Sequence, residues 1–140
     1  MSHAFTLIEL LLVIAIVALL GGATTPFLSQ FLLRNSQDTT VDKVLGSLRQ
    51  AQNYSQNHKF NSVWGLCLSD QNIRLFAGTD CNTYTYHQDF SYSSTVTVSG
   101  MSTITFNNRG EPSSPLSVSI SSDIDSATIS LNAVGGLSVN

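Results

Sequence analysis

The chain opens with an almost unbroken apolar segment, residues 5–23, whose polar side chains are Thr6 and Glu9. At about 1.5 Å per residue, a helix of this length measures roughly 28 Å, close to the ~30 Å hydrocarbon thickness of a bilayer. The segment therefore predicts one membrane-spanning helix. Glu9 is the exception in it, because a charged side chain deep in hydrocarbon costs about 2.5–3.5 kcal/mol on insertion scales. We expect a compensating partner for this carboxylate.

Beyond this segment, apolar residues recur at helical spacing. Phe27, Leu28, Phe31 and Leu32 prolong the first apolar face. A second face at three- and four-residue spacing consists of Val41, Val44, Leu45, Leu48, Ala51 and Gln52. The pattern predicts one long helix from residue 5 to about residue 54, stopping near residue 57. Its first half would face membrane or partners, and its second half would pack on a globular head.

The predicted helix contains three residues that weaken helices. Gly21 and Gly22 are adjacent, and Pro26 follows within about one turn. Proline lacks the backbone N–H that the helical ladder needs, and glycine favours less ordered conformations. We expect a kink at these three positions.

From residue 62 onward the pattern changes to the two-residue period of strands. Segments 62–68 and 72–77 flank a polar turn and predict a hairpin, with Trp64, Leu66 and Leu68 on one face. Further strands are predicted at 95–99, 102–107, 116–121, 127–132 and 137–139. Residues 78–92 carry several aromatic side chains without alternation and are interpreted as a loop, either a recognition surface or ordinarily packed. The fold class is α+β, with a long N-terminal helix packed on an antiparallel β-sheet head.

Composition excludes several functions. Six Lys and Arg residues are scattered through a chain of net charge −3. The sequence therefore contains no basic patch of the kind that would indicate nucleic acid as a partner. His58 and His87 are isolated in polar surroundings, and no nucleophile elbow, phosphate-binding glycine loop or zinc-protease motif occurs. Arg109 lies in a turn where it is expected to be exposed. We predict no enzymatic activity, no catalytic residues, no metal site and no cofactor.

Cys67 and Cys81 are the two cysteines, and both follow the apolar segment. If the short N-terminus stays in the cytoplasm, both lie in an exported region where disulfides persist. A disulfide between them would close a loop of about 15 residues, worth about 3 kcal/mol in the chain-entropy model. The alternative is a pair of reduced thiols.

The residues from Ala4 to Glu9, followed by the apolar run, resemble the class III signal of type IV pilins and pseudopilins. Ala4 stands where glycine is usual, and residues 1–4 contain no Lys or Arg. The resemblance implies that a prepilin peptidase cuts between Ala4 and Phe5, that Phe5 becomes an N-methylated terminus, and that residues 1–4 are a leader peptide. The retained helix, residues 5–33, would be the transmembrane and assembly element.

The same resemblance implies a partner for Glu9. In that family the processed terminal amine of one subunit, here Phe5, pairs with the acidic residue of its neighbour. At ~4 Å and an effective dielectric of ~20 such a pair is worth roughly 4 kcal/mol before desolvation. The alternative is a Glu9 side chain that reaches toward the headgroups on its own.

The C-terminal half resembles the GspH/FimT family of minor pseudopilins and pilins. The resemblance is carried by residues 48–55, by ITFNNRGEP at 104–112 and by the glycine-containing end at 127–140. It implies a pilin fold with residues 34–140 as a periplasmic head. It also implies a single-pass protein of the bacterial inner membrane whose partners are other pilins or pseudopilins, the inner-membrane assembly platform and the lipid bilayer.

The sequence suggests three candidate functions. The first is a structural minor subunit of a type II secretion pseudopilus, and its close alternative is a minor pilin of a type IV pilus. The second is DNA capture in natural transformation, but the tail reads Gly135, Gly136, Leu137 and Ser138 where DNA-binding relatives carry Gly-Arg-x-Arg. The third, a membrane-tethered hydrolase, lacks any assembled site.

Overall fold

The computed structural model describes residues 6–140, and the side chains of residues 23–26 are not considered. Ala4 and the proposed new terminus Phe5 therefore lie outside the described residues. The chain divides into two units, Met1–Leu32 and Leu33–Asn140. One helix, α1, spans Leu7–Gln56 over 50 residues. The predicted long helix is confirmed over the described part of the chain, and its end at Gln56 lies between the predicted positions 54 and 57.

Within the second unit the chain forms two antiparallel sheets of four strands each. After α1, a short 3₁₀ turn covers Lys59–Asn61. The first sheet has the order β3-β2-β1-β5 and the second the order β4-β6-β7-β8. The strands are β1 Trp64–Ser69, β2 Asn72–Gly78, β3 Tyr84–Ser91, β4 Thr97–Ser99, β5 Ile104–Phe106, β6 Leu116–Ser121, β7 Ser126–Leu131 and β8 Leu137–Val139.

The core of the second unit lies between α1 and the sheets. Val44, Leu48 and Ala51 are completely buried on one face of α1, as their spacing predicts. Alternate residues of the strands meet them: Trp64 and Leu66 of β1 are also completely buried. The helix and both sheets therefore share one hydrophobic cluster, and the α+β pilin-like architecture is confirmed.

The predicted β1–β2 hairpin is present, with Ser69 paired to Asn72 around the turn. The interpretation of residues 78–92 as a loop was wrong, because Tyr84–Ser91 forms β3 against β2. Almost all its side chains are exposed, so no apolar alternation marks it in the sequence. Backbone hydrogen bonds to β2 hold this strand instead of burial.

The sequence pattern predicts one sheet, and the structure has two. Each alternating segment shows which face of a strand is buried, but this information does not specify which strands pair. The strands β1 and β5 pair across a long connection, whereas β4 pairs with β6 to start the second sheet. The apolar faces of both sheets reach the same core.

Candidate functional site

The first turn of α1 is fixed by the carbonyl of Thr6. It accepts hydrogen bonds from the backbone N–H groups of Glu9 at 3.1 Å and Leu10 at 3.2 Å. Glu9 therefore lies in the first turn of the helix, where the helix dipole is positive. The attraction between a helix dipole and a negative charge is weaker than the cost of burying that charge in hydrocarbon.

The side chains of residues 6–22 and 27–32 are all exposed within the chain. Leu7 is 76% exposed and Phe27 also 76%, so the helix does not cover this apolar surface within its own unit. A continuous apolar surface of this size requires lipid or protein contacts. Among the described residues, α1 is the helix long and apolar enough to cross a membrane.

The predicted kink residues all lie inside α1. Gly21 and Gly22 are exposed, and Pro26 lies within the same uninterrupted helix. A kink at these positions stays a prediction, and so does the pairing of Phe5 with Glu9.

Three sequence motifs meet at the C-terminal end of α1. The side-chain amide of Gln52 donates to the carbonyls of Gly110 at 3.1 Å and Gly135 at 2.8 Å. Both glycines have positive φ, +79° and +86°, a conformation that favours glycine. A Cβ added at Gly135 would lie 2.6 Å from the carbonyl oxygen of Gly110, so the two turns pack too closely for a side chain. Gln52 thus fastens the Arg-Gly turn and the final hairpin to the helix.

A second contact at this junction involves Ser55, which is buried on the same helix. Its hydroxyl donates to the carbonyl of Phe106 at 3.0 Å and accepts from the backbone N–H of Trp64 at 3.2 Å. The side-chain amide of Gln56 donates to the carbonyl of Arg109 at 2.9 Å. The turn thus contacts the helix through its backbone, while the side chain of Arg109 is exposed as expected.

Sequence reasoning missed the roles of these polar residues. The spacing predicts Gln52 on the inner face but not its partners, and Ser55 belongs to the 48–55 segment of the family resemblance without a predicted role. The one signal in the sequence is a polar side chain within an otherwise apolar stripe, which indicates a buried hydrogen bond.

Cys67 and Cys81 form a disulfide, with Cα atoms 6.0 Å apart. It ties the turn before β3 to strand β1. The turn is ordered further by Asp80, whose carboxylate accepts from the backbone N–H groups of Asn82 at 2.7 Å and Thr83 at 2.9 Å. These backbone hydrogen bonds lower the pKa of Asp80 below its ordinary value. The disulfide and the Asp80 turn together set where β3 begins.

Aromatic rings gather beside the end of α1. Tyr54 packs edge-on against Trp64 at 4.6 Å between ring centroids, and the ammonium of Lys59 lies 3.5 Å from the centre of the Tyr54 ring. The adjacent ammonium of Lys59, followed by the hydrogen bond from the Gln50 amide at 2.7 Å, lowers the pKa of Tyr54. The Lys59 carbonyl accepts from the indole of Trp64 at 2.8 Å, which holds the 3₁₀ turn on β1.

The candidate chemistry of the head does not assemble. His58 follows the helix and is exposed, whereas His87 lies on β3 with its ring 4.6 Å from that of Tyr84. The guanidinium of Arg74 binds Asp89 through two hydrogen bonds of 2.7 and 2.8 Å and lowers the pKa of that carboxyl. Over residues 6–140 no three His, Cys, Asp or Glu side chains group together as a metal site.

Comparison with known families gives two matches. The model for the type II transport protein GspH matches residues 40–135, and the model for the prokaryotic N-terminal methylation motif matches residues 1–25. No curated protein and no solved structure matched the sequence. The GspH match includes the Gln52 junction and strands β1 to β7, and it ends before β8 begins. Since it covers well over half of the 140 residues, the chain belongs to the GspH family of pilin-like pseudopilins, structural proteins with an apolar N-terminal helix and a head.

Proposed function

We propose that this protein is a structural minor subunit of a type II secretion pseudopilus. It would reside in the bacterial inner membrane as a single-pass protein, with residues 34–140 as a head in the periplasm. The observation that carries the proposal is the presence in one chain of a methylation motif over residues 1–25 and a GspH head over residues 40–135. A subunit of this kind acts by polymerising, and its N-terminal helix is the polymerising element.

The proposed maturation begins at the cytoplasmic face of the membrane. A prepilin peptidase removes residues 1–4 by cutting between Ala4 and Phe5, and the new amine of Phe5 is methylated. Processing leaves a positive charge four residues before Glu9. The helix would then enter the growing filament through the inner-membrane assembly platform.

The chemistry of assembly centres on Glu9. The carboxylate is exposed within the chain, and the apolar side chains around it are exposed as well. Burying this carboxylate in hydrocarbon is costly for a single subunit. Beside the Phe5 amine of a neighbouring subunit it forms an ion pair, whose attraction is worth roughly 4 kcal/mol before desolvation. That difference favours the filament over the separate subunits. A local opening of the helix at Gly21, Gly22 and Pro26 would let it adapt to its neighbours.

The test replaces Glu9 with Gln or Leu in the full chain and measures membrane insertion and filament incorporation separately. We expect insertion to be unchanged or improved and incorporation to fall about tenfold or more, since the pair is lost. Leu12→Ala, in the same apolar run, is the matched control and keeps incorporation. Unchanged incorporation of Glu9→Leu would remove the pairing mechanism.

The close alternative is a minor pilin of a type IV pilus, which would use the same processing and the same Glu9 chemistry. Complementation separates the two: the chain should restore secretion in a strain lacking its pseudopilin and leave pilus function unaffected. Restored piliation without restored secretion would favour the pilus. A gel shift with the full chain at low salt addresses DNA capture, and we expect no binding because residues 135–138 contain no arginine.

A further inference from the structure

The outer edge of β3 is the long unpaired edge of the described head. The other outer strands, β4, β5 and β8, have three residues each, whereas β3 has eight. The edge of β5 is also covered, because Pro112 bridges to Phe106 and the N–H of Ser113 donates to the carbonyl of Thr105 at 2.8 Å. Natural sheets usually protect such edges with Lys, Pro or a bulge. The β3 strand contains neither Lys nor Pro, but the pairing with β2 is irregular between Tyr84 and Tyr86, and Lys43 of α1 binds the other end at Ser91, so the regular open part of the edge is residues 86–90.

The hydrogen-bond pattern shows which backbone groups of β3 point outward. The N–H of Tyr92 donates to the carbonyl of Gln71 at 3.3 Å, so this pair bonds across to β2. Because bonding alternates along an antiparallel pair, Phe90 and Gln88 also face β2. The backbones of His87 and Asp89 therefore face away from the sheet.

The carbonyl of Ser91 supports the same pattern. It accepts from the ammonium of Lys43 on α1 at 2.6 Å, and so it also points away from β2. Lys43 occupies one outward position, and within residues 6–140 no backbone hydrogen bond occupies those of His87 and Asp89. A strand laid along this edge would find donors and acceptors at two successive outward residues.

Two apolar cavities lie along the same edge, on the face of the sheet that carries the core. One, of about 400 Å³, lies between α1 and β3 and is lined by Gly46, Gln50 and Phe90. The other, of about 370 Å³, is lined by Phe60, Thr85 and Tyr86. Phe90 packs on the core, and the ring of Tyr86 lies 5.8 Å from that of Trp64. Both cavities are therefore on one face.

The spacing of these cavities matches the period of a strand. Tyr86 and Phe90 are four residues apart on one face, which corresponds to about 13 Å along a strand. A paired strand presents side chains i and i+4 on one face at the same distance. Its backbone would meet His87 and Asp89 while two of its side chains enter the two cavities. Strand addition works in this way, with backbone bonds for affinity and pockets for alternate side chains.

The charges favour a basic occupant. Asp42 and Lys43 both line the larger cavity. The Lys43 ammonium is bonded to the carbonyl of Ser91, whereas the Asp42 carboxylate has no salt bridge within the described residues. The chain as a whole carries a net charge of −3, and a cationic side chain of the segment would complement the Asp42 carboxylate.

We propose that the β3 edge is a docking site for an extended, basic segment of a partner polypeptide. The segment carries apolar side chains at positions i and i+4 and adds to the first sheet as a further strand. A second copy of this chain is the less suitable occupant. Antiparallel pairing of two β3 strands would reverse the direction of the 33–56 part of α1, whereas copies anchored in one membrane share a direction. The site lies on the head and does not depend on the Glu9 assembly chemistry.

The probe is the capped peptide Ser-Val-Thr-Lys-Thr-Leu-Ser, titrated against the full chain in nanodiscs by fluorescence anisotropy. Its valine and leucine are the side chains i and i+4, and its two threonine amides are placed to face the outward backbones of His87 and Asp89. Methylation of both threonine amides should weaken binding about tenfold or more. Methylation of the lysine amide, which points away from β3, is the matched control and should leave affinity unchanged.

Two protein variants test the larger cavity. Gly46→Leu fills it and should abolish peptide binding, while Gly46→Ala, with a smaller side chain, should retain most of it. A Cβ at Gly46 meets no atom within 4 Å, so both variants are expected to fold. Circular dichroism and formation of the Cys67–Cys81 disulfide check folding. Intact folding with unchanged affinity in Gly46→Leu would overturn the placement of the segment.

Amide hydrogen exchange provides a readout that does not depend on affinity. In the free chain His87 and Asp89 should exchange fast while Gln88 and Phe90 exchange slowly, and the peptide should slow the first pair. Absence of binding at millimolar peptide, or equal affinity of the doubly methylated peptide, would refute strand addition. Concentration-dependent protection of His87 and Asp89 without peptide would refute the partner segment in favour of self-pairing.

Discussion

The side-chain amide of Gln52 donates to the backbone carbonyl of Gly135 at 2.8 Å, across 83 positions of sequence. The same amide also donates to Gly110. A single side chain on α1 therefore fixes the positions of two turns relative to the helix, and the last hairpin depends on a residue in the first third of the chain.

Replacing Gln52 with Leu should destabilise the head by about 1–3 kcal/mol, because the carbonyls of Gly110 and Gly135 lose their donor while the volume is kept. Chemical denaturation followed by tryptophan fluorescence measures the loss. Trp64 is a suitable probe, as it is completely buried. A change within about 0.5 kcal/mol would mean that water replaces the amide.

Replacing Gly135 with Ala should cost at least about 1 kcal/mol, because φ is +86° and the new Cβ would press on the carbonyl of Gly110. Gly46→Ala is the matched control in a helical position with open space around it. That control should gain about 0.5–1 kcal/mol. Equal effects of the two substitutions would contradict the close packing of the turns.

His58 adopts a left-handed conformation after the end of α1, with φ 49° and ψ 33°. Glycine adopts this conformation without the steric cost of about 1–2 kcal/mol that a Cβ brings, although its unfolded chain is more flexible. We expect His58→Gly to raise stability by up to about 1 kcal/mol and His58→Ala to give no gain. Thermal unfolding of both variants tests this expectation, and a lower stability of His58→Gly would contradict it.

Removing the disulfide by the double change Cys67→Ser and Cys81→Ser should lower the free energy of unfolding by about 3 kcal/mol. The bond links residues 14 positions apart, so the loop it closes is short. Reduction of the unmodified chain should reproduce the loss, and reductant should not affect the double variant. A loss in the double variant without a loss on reduction would mean that the serines themselves disturb the sheet.

The Arg74–Asp89 pair predicts an acid dependence. Hydrogen bonds from Arg74 hold the folded-state pKa of Asp89 below its ordinary value of 3.8. A depressed pKa stabilises the folded state above the unfolded pKa, and this contribution disappears as the pH falls below about 3.8 through the folded value. Asp89→Asn should therefore lose less stability between about pH 7 and pH 2.5 than the unmodified chain. Asp123→Asn, at an exposed turn, is the control and should keep the original slope.

The elements that sequence predicts well are those that burial organises. Leu48 and Trp64 belong to patterns whose period follows directly from the faces they bury, so α1 and β1 are predictable. The strand around His87 is not, because backbone bonds to β2 hold it and its side chains stay in water. The partners of Gln52 are equally hidden, since they depend on where two distant turns come to lie. Processing at Phe5 and pairing with Glu9 stay predictions.

The spacing of Cys67 and Cys81 also bears on the order in which the head matures. Since the chain has two cysteines, mispairing within one molecule is impossible and no isomerase is needed to correct it. In the proposed export of the head, the bond could form once residue 81 had crossed the membrane, while the segments of β4 to β8 were still to follow. The disulfide would then link the β1–β2 hairpin to the turn that leads into β3 before the second sheet exists. Oxidation would thus provide a preformed template on which the remainder of the head folds as it emerges.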